Sequence, residues 1–220
     1  MKDVGAGDCG PAPTVLHRIW VGPPIPERLA VIGRQWEALL PGWEHRLWGD
    51  DDLGWLENRG LYDRAEELVP ADAVGQFRAD IARYEILARH GGVYVDCDLE
   101  PLRDITPLHV HGAWAGWEVQ DRFVGNTILG GRAGDPFWTA AVQGLLASVN
   151  ANAGKRPNRM SGPHFTTRLM RSIGGLHVYP QSFFYPYAHN ELDRHHADPG
   201  DAYTRHLWWH QRTLKGKPLG

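Results

Sequence analysis

Two carboxylates one residue apart, Asp96 and Asp98, end the run Gly91-Gly92-Val93-Tyr94-Val95-Asp96-Cys97-Asp98. The period of two along a β-strand puts Tyr94, Asp96 and Asp98 on one side and Val93, Val95 and Cys97 on the other. Residues two apart on a strand are separated by roughly 6.5 Å, too far for both carboxylates to grip one ion symmetrically unless the strand bends. A division of labour is therefore expected: one carboxylate holds a divalent cation, the other a hydroxyl or a metal-bound water. Oxygen ligands favour Mg²⁺ or Mn²⁺ over softer metals. A second set, Gln76, Asp80 and Arg83, steps by four and three. On a helix it places a carboxylate and a guanidinium on one face, partly buried beside apolar surface.

The elements that position these groups are legible around them. Val74, Phe77, Ile81, Tyr84 and Ala88 recur at spacings of three and four, predicting a helix with one apolar stripe. Gly91 suits the left-handed position just past its last turn. Val93-Tyr94-Val95, β-branched and aromatic, then forms a short strand that delivers the carboxylates. Upstream, Thr14 to Val21 reads as a first strand ended by Gly22-Pro23-Pro24, with Trp20 offering a flat indole at the strand end, where open α/β sheets bind ligands. A core role for Trp20 is equally open at this level.

The string Phe77-Arg78-Ala79-Asp80-Ile81-Ala82-Arg83-Tyr84 followed by Gly91 to Asp98 resembles the signature of the DXD-motif sugar transferases. This family includes fungal outer-chain mannosyltransferases and bacterial capsule-synthesis transferases, and is related to the glucosylating domain of the large clostridial toxins. The resemblance implies an α/β fold of GT-A type: a Rossmann-like nucleotide-sugar-binding domain with a mixed, mostly parallel sheet flanked by helices. It implies a nucleotide-diphosphate sugar as donor, UDP-linked before GDP-linked, Mn²⁺ or Mg²⁺ as cofactor, and retention of anomeric configuration. Residue by residue, Asp98 is expected to hold the cation, Asp96 a ribose or sugar hydroxyl, and Asp80 and Arg83 the donor-sugar hydroxyls, with Tyr94 in the same pocket. His17-Arg18-Ile19-Trp20-Val21-Gly22 resembles the family's first-strand motif, whose tryptophan stacks on the base, so Trp20 and Val21 are carried over as nucleotide contacts. Asn126, mid-strand in Val124-Gly125-Asn126-Thr127-Ile128, must find partners if buried; by resemblance its amide meets the donor sugar. Ser161-Gly162-Pro163-His164 resembles the helix start near that sugar, which brings in Gly162. Arg205-His206-Leu207-Trp208 resembles the closing H-x-W motif, making His206 a third metal ligand and Trp208 a phosphate or lid contact.

Other polar clusters invite blander readings. Asp50-Asp51-Asp52 precedes Leu53-Gly54-Trp55-Leu56 and reads as helix-start carboxylates. Gly5-Ala6-Gly7-Asp8-Cys9-Gly10 matches a dinucleotide-binding fingerprint letter for letter, yet no strand precedes it and prolines follow, so residues 1–13 read as a flexible leader. His189, His195 and His196 fit no standard zinc spacing. Further expected elements are a helix after Pro26 burying Leu29, Ile32 and Trp36, a strand from Trp43 to Trp48 and a helix from Leu61 to Leu68. They continue with an edge segment from Leu102 to Leu108, strands Ala113–Glu118 and Phe123–Leu129, a helix from Asp135-Pro136 through Leu146, and a polar loop from Asn150 to Arg159.

At 220 residues with 42% apolar and 22% charged residues, positions 14–220 fit one globular domain. A net charge of −3 argues against bulk nucleic-acid binding. With only Cys9 and Cys97, a disulfide framework is not expected and a reducing, cytoplasmic setting fits. The sequence shows neither a secretion signal nor an apolar run long enough for a membrane anchor. Acceptor surfaces lie in loops, so a glycan, protein, lipid-linked sugar, natural product or modified nucleobase all stay open as acceptor. Two other function classes compete: an aspartate-nucleophile phosphohydrolase, against which Leu99-Glu100 after the acidic pair counts, and a catalytically silent sugar-binding module.

Overall fold

The structure is a computed structural model and describes residues 12–209, so the glycine-rich segment from Gly5 to Gly10 lies outside the described residues. In chain order the strands are β1 (Val15–Ile19), β2 (Glu44–Trp48), β3 (Gly92–Val95), β4 (Leu99–Pro101), β5 (Ala113–Val119), β6 (Phe123–Gly131), β7 (Leu176–Tyr179) and β8 (Thr204–His206). The helices are α1 (Glu27–Leu39), α2 (Arg59–Asp63), α3 (Ala65–Leu68), α4 (Val74–His90), α5 (Pro136–Ala151), α6 (Pro157–Met160), α7 (Pro163–Ile173) and α8 (Gln181–Phe184). Six strands form one sheet in the order β2-β1-β3-β6-β5-β7, while β4 and β8 pair as a separate ribbon. β1 runs parallel to β2 and β3, and β5 parallel to β7; β6 alone lies antiparallel to its neighbours β3 and β5. The expected mixed, mostly parallel sheet is thus present.

Alternation along β3 assigns its residues to two cores. Tyr94 belongs with Phe77, Ile81, Tyr84, Phe137, Trp138 and Leu145, from α4 and α5. Val93 and Val95 belong with Leu16, Leu29, Ile32, Trp36, Trp114 and Phe184, from β1, α1, β5 and α8. The sheet therefore carries helices on both faces. α4 departs from the single-stripe expectation: its residues 80–87 are buried without a break, because α2, α3, α5 and α6 pack around it as well as the sheet. Glu85 is one such buried residue. Its carboxylate accepts backbone N–H bonds from Glu57 and Asn58, which anchors the start of α2.

The helix-to-strand turn that aims β3 depends on two glycines. Gly91 has φ 65° and Gly92 φ 87°, left-handed conformations that any other residue adopts at a cost. A side chain on Gly92 would also stand 2.5 Å from the Val15 carbonyl oxygen. Beneath this turn, buried His17 donates from Nε2 to the Gly91 carbonyl (3.0 Å) while its Nδ1 accepts from the Trp48 indole (3.2 Å). These two bonds fix one neutral tautomer. Burial drives the pKa of His17 down to about 4, the Gly91 carbonyl only partly opposing it. An imidazole depressed in the fold loses its stabilising contribution as pH falls from the unfolded value near 6.5 towards 4, because only the unfolded chain takes the proton there. Wild type is expected to lose up to about 3 kcal/mol more than His17→Gln between pH 7.5 and 4.5 in urea unfolding. Equal losses in the two proteins would refute this account.

Several boundaries differ from the sequence reading. The helix expected from Leu61 to Leu68 is split into α2 and α3 at Arg64. The edge expected from Leu102 to Leu108 is irregular and ends in a 3₁₀ turn, Thr106–Leu108. α5 continues past Leu146 to Ala151, and α6 occupies the end of the expected polar loop, held by buried Pro157 and Met160. α5 opens after Asp135 as expected, and the Asp135 side chain caps it by accepting from the Phe137 N–H. Among the described residues no helix is long and apolar enough to cross a membrane.

Candidate active site

Asp80 and Arg83 sit one turn apart on α4, and the fold buries them to 0% and 3% exposure. A carboxylate this deep must be paired and hydrogen-bonded. Its Oδ1 faces Arg83 Nη1 at 3.2 Å and accepts from the Asn126 amide at 2.8 Å; its Oδ2 accepts from the Ser161 hydroxyl at 2.7 Å. Burial pushes the Asp80 carboxyl up to about 6 against the pull of Arg83 and these donors. Arg83 also donates to the Asn126 carbonyl (2.6 Å), reaches Asp96 (3.3 Å) and lies over the Tyr94 ring. One guanidinium thus ties α4 to the ends of β6 and β3.

Asp96 and Asp98 do not continue β3. The strand ends at Val95, and the Leu99 N–H bonds back to the Asp96 carbonyl at 3.0 Å, a tight turn that feeds β4. The extended-strand separation therefore does not apply: ligand atoms of Asp96, Asp98 and His206 all lie within 4.8 Å of one another. His206 arrives through the β4–β8 ribbon, where Leu99 pairs with His206 and Glu100 with Arg205. The Glu100–Arg205 ion pair (2.8 Å) clamps this ribbon. Asp98 Oδ1 lies 3.1 Å from His206 Nε2, and its Oδ2 accepts from the Trp209 N–H at 2.8 Å. Burial would raise Asp98, but the imidazole and the backbone donor outweigh it and hold the carboxyl below its ordinary value. Conversely, Asp98 overcomes the burial that would lower His206, with Asp96 and Glu118 adding to the effect, and holds the imidazole above its ordinary value.

Two carboxylates and one imidazole converging in this space form an anionic donor set that could hold a divalent metal ion. Asp96 carries a second duty, since its Oδ1 receives the Tyr94 hydroxyl and Arg83. Beyond His206 the chain turns sharply: Trp208 has φ 55°, a strained conformation for a bulky residue and one found where function over-determines the backbone. The turn sets the Trp208 ring 4.1 Å from the His206 ring at an interplanar angle of 54°. Trp208 Nε1 and His206 Nδ1 are buried without a partner among the described residues. Such orphaned atoms are costly unless a ligand satisfies them.

These groups line a cavity of about 500 Å³, ample for a small organic ligand. Trp20 and Val21, just past β1, line it. The half-buried Trp20 ring is oriented by its indole N–H donating to the Pro23 carbonyl at 2.6 Å. The loop after it is fixed by Asp50, which accepts from the Gly22 N–H (2.8 Å) and the Tyr62 hydroxyl (2.7 Å). Asp50, Asp51 and Asp52 open a 3₁₀ turn, Asp50–Leu53, as the sequence reading expects; Asp52 accepts from the Gly49 N–H, and Asp50 in addition holds the loop after Trp20. Trp20, Tyr94, Asp80, Arg83, Asp96, Asp98, Asn126, His206 and Trp208 are thus brought together. Gly162 instead stands behind Asp80, where a side chain would come 3.0 Å from the Asn158 Cα, and Asn158 and Pro163 make the wall. Of the loop histidines only His189 lines the cavity.

Ser161, Thr127 and Glu118 escaped the sequence reading. Ser161 carried a usable signal, since a hydroxyl before Gly-Pro at a helix start is a common polar partner. Thr127 meets the buried Tyr185 hydroxyl at 2.6 Å. Glu118 sits near the end of β5 in the cavity wall.

A mixed sheet with helices on both faces, a tryptophan past the first strand and an acidic pair past the third define a fold of GT-A type. Residues 26–115 match the family described as "Glycosyltransferase sugar-binding region containing DXD motif". The resemblance read from the motifs is borne out there. The chain is 28% identical over 141 residues to inositol phosphoceramide mannosyltransferase 3 of Schizosaccharomyces pombe, a match covering 60% of the chain and 37% of that protein. The match therefore spans little more than a third of this relative. Among solved structures, the PaToxG glycosyltransferase superposes with TM-score 0.63 at 16% identity, covering 75% of this chain and 71% of that one. The UDP-bound glycosyltransferase domain of the YGT toxin superposes with TM-score 0.55 at 10% identity, covering 86% of each. These neighbours share the fold.

Proposed function

We propose that the chain is a metal-dependent glycosyltransferase that moves a hexose from a nucleotide-diphosphate sugar, UDP-linked in preference to GDP-linked, to an acceptor with retention of configuration. The observation that carries this reading is the convergence of Asp96, Asp98 and His206 in a cavity that Trp20 also lines. Asp98 and His206 hold Mn²⁺ or Mg²⁺, with Asp96 close enough to join them. A divalent cation bound there supplies positive charge against the negative charge that grows on the departing diphosphate. Trp20 and Val21 receive the base. Trp208 donates its buried indole N–H to the diphosphate. Arg83 and Asn126, braced by Asp80, orient the sugar hydroxyls, while the Arg83–Tyr94 pair fixes Asp96 for a ribose or sugar hydroxyl. Gly162 keeps the wall behind Asp80 thin enough for this packing.

Thermal shift with a panel of UDP- and GDP-sugars, with and without Mn²⁺, tests the reading, because a bound donor raises the melting temperature by mass action. A manganese-dependent rise with at least one nucleotide sugar, accompanied by slow donor hydrolysis, is expected. No rise with any member would end it, and binding without hydrolysis or transfer would leave a silent sugar-binding module instead. Trp20→Ala is expected to weaken donor binding by about 1 to 3 kcal/mol in calorimetry if the base stacks on the indole. Unchanged affinity would remove Trp20 from the nucleotide site.

A further inference from the structure

The sheet order places the cavity groups in a sequence across its edge. Trp20 follows β1, Asp96 follows β3, Asn126 lies on β6 and Glu118 near the end of β5, and these strands are consecutive neighbours. β6 runs antiparallel to the others, so its early residues share this edge: the Asp96 N–H bonds to the Thr127 carbonyl at 2.8 Å, and Trp117 pairs with Val124. With strands about 4.8 Å apart, Glu118 stands roughly 14 Å from the β1 end. If the donor lies as proposed above, its base, diphosphate and sugar follow the same order, and Glu118 comes one strand beyond the sugar.

Glu118 is also chemically out of place as a structural residue. It is partly buried and lines the cavity, yet it makes no hydrogen bond or ion pair among the described residues. Every other cavity carboxylate deep in the fold is engaged: Asp80 by three groups, Asp96 by two and Asp98 by two. Glu118 lies outside the set of Asp96, Asp98 and His206 whose ligand atoms converge. His206 is a charged neighbour, but no group donates a hydrogen bond to Glu118 among the described residues, and a desolvated carboxyl with no donor is retained at a cost to stability unless a ligand supplies one.

We infer that Glu118 is the acceptor-binding carboxylate, accepting a hydrogen bond from the hydroxyl that attacks the donor sugar: the bond from that oxygen to the anomeric carbon forms as the bond from that carbon to the diphosphate breaks, and the hydroxyl proton leaves with the departing nucleoside diphosphate. The acceptor class is accordingly a hydroxyl-bearing molecule presented at the β5 end of the cavity. This inference rests on the glycosyltransferase reading. In donor hydrolysis water takes the acceptor's place, so the residue can be tested before the acceptor is identified.

The test compares wild type with Glu118→Gln, which keeps the shape and removes the charge. The probe is whichever of UDP-glucose, UDP-galactose, UDP-N-acetylglucosamine and GDP-mannose stabilises wild type most with Mn²⁺. The variant is expected to melt at the same or a higher temperature, to retain the manganese-dependent donor shift, and to hydrolyse donor at least tenfold more slowly, with the loss in kcat and not in donor KM. Glu118→Asp is expected to recover part of the rate. Unchanged hydrolysis would overturn the inference, as would loss of the donor shift, which would make Glu118 a donor or metal contact. A lower melting temperature would show it to be a structural residue. Failure of wild type to bind or hydrolyse any of the four would instead refute the underlying reading.

Discussion

Asp98→Ala is expected to reduce donor hydrolysis and transfer by ~10²-fold or more and to abolish the manganese-dependent part of the donor's thermal shift. The carboxylate has three roles at once. It carries charge into the proposed cation site, holds the His206 imidazole at 3.1 Å, and receives the Trp209 N–H at 2.8 Å. Alanine removes all three, so a second variant separates them. Asp98→Asn retains an oxygen for the Trp209 N–H and loses the charge. If the charge is what matters, both variants are inactive while Asp98→Asn melts close to wild type. Rates within a fewfold of wild type in either protein would remove Asp98 from the reaction.

Arg83→Met is expected to give the largest loss of stability. It strands the Asp80 carboxylate, 0% exposed, and leaves Asp96 without its guanidinium partner. Removing one member of a buried pair typically costs about 3–5 kcal/mol. For a chain of this size that corresponds to a melting temperature lower by roughly 10 °C. A second substitution separates structure from function. Asp80→Asn combined with Arg83→Met removes the stranded charge and keeps hydrogen-bonding atoms for Asn126 and Ser161, so much of the stability should return. Donor hydrolysis should stay low, because the group proposed to orient the sugar is still missing. A single variant that melts within a degree or two of wild type would show the pair to be solvated. A double variant with recovered turnover would show Arg83 to be structural alone.

The sequence was most informative where one local period governed the outcome. α4, the glycine turn and β3 were legible because helix spacing, a left-handed stop and β-branched residues agreed along the same stretch. Trp20 was legible as a strand-end aromatic, and the pairing of Asp80 with Arg83 followed from their spacing on one helix. The split between α2 and α3 was not. No glycine or proline marks it, and the break at Arg64 reflects how α2 and α3 pack on α4.

By itself, the sequence determined the fold class, the helix-turn-strand unit and the identity of the groups that carry charge. Only the tertiary structure decided how they meet. The turn after Val95 replaced a strand's fixed separation with a convergent site, and the β4–β8 ribbon carried His206 to Asp98 across more than a hundred residues of chain. Glu118 acquired its place from strand order, which no local pattern encodes. Short-range periodicity constrains the residues within one element, whereas a site assembled from strand ends depends on packing between elements distant in the chain.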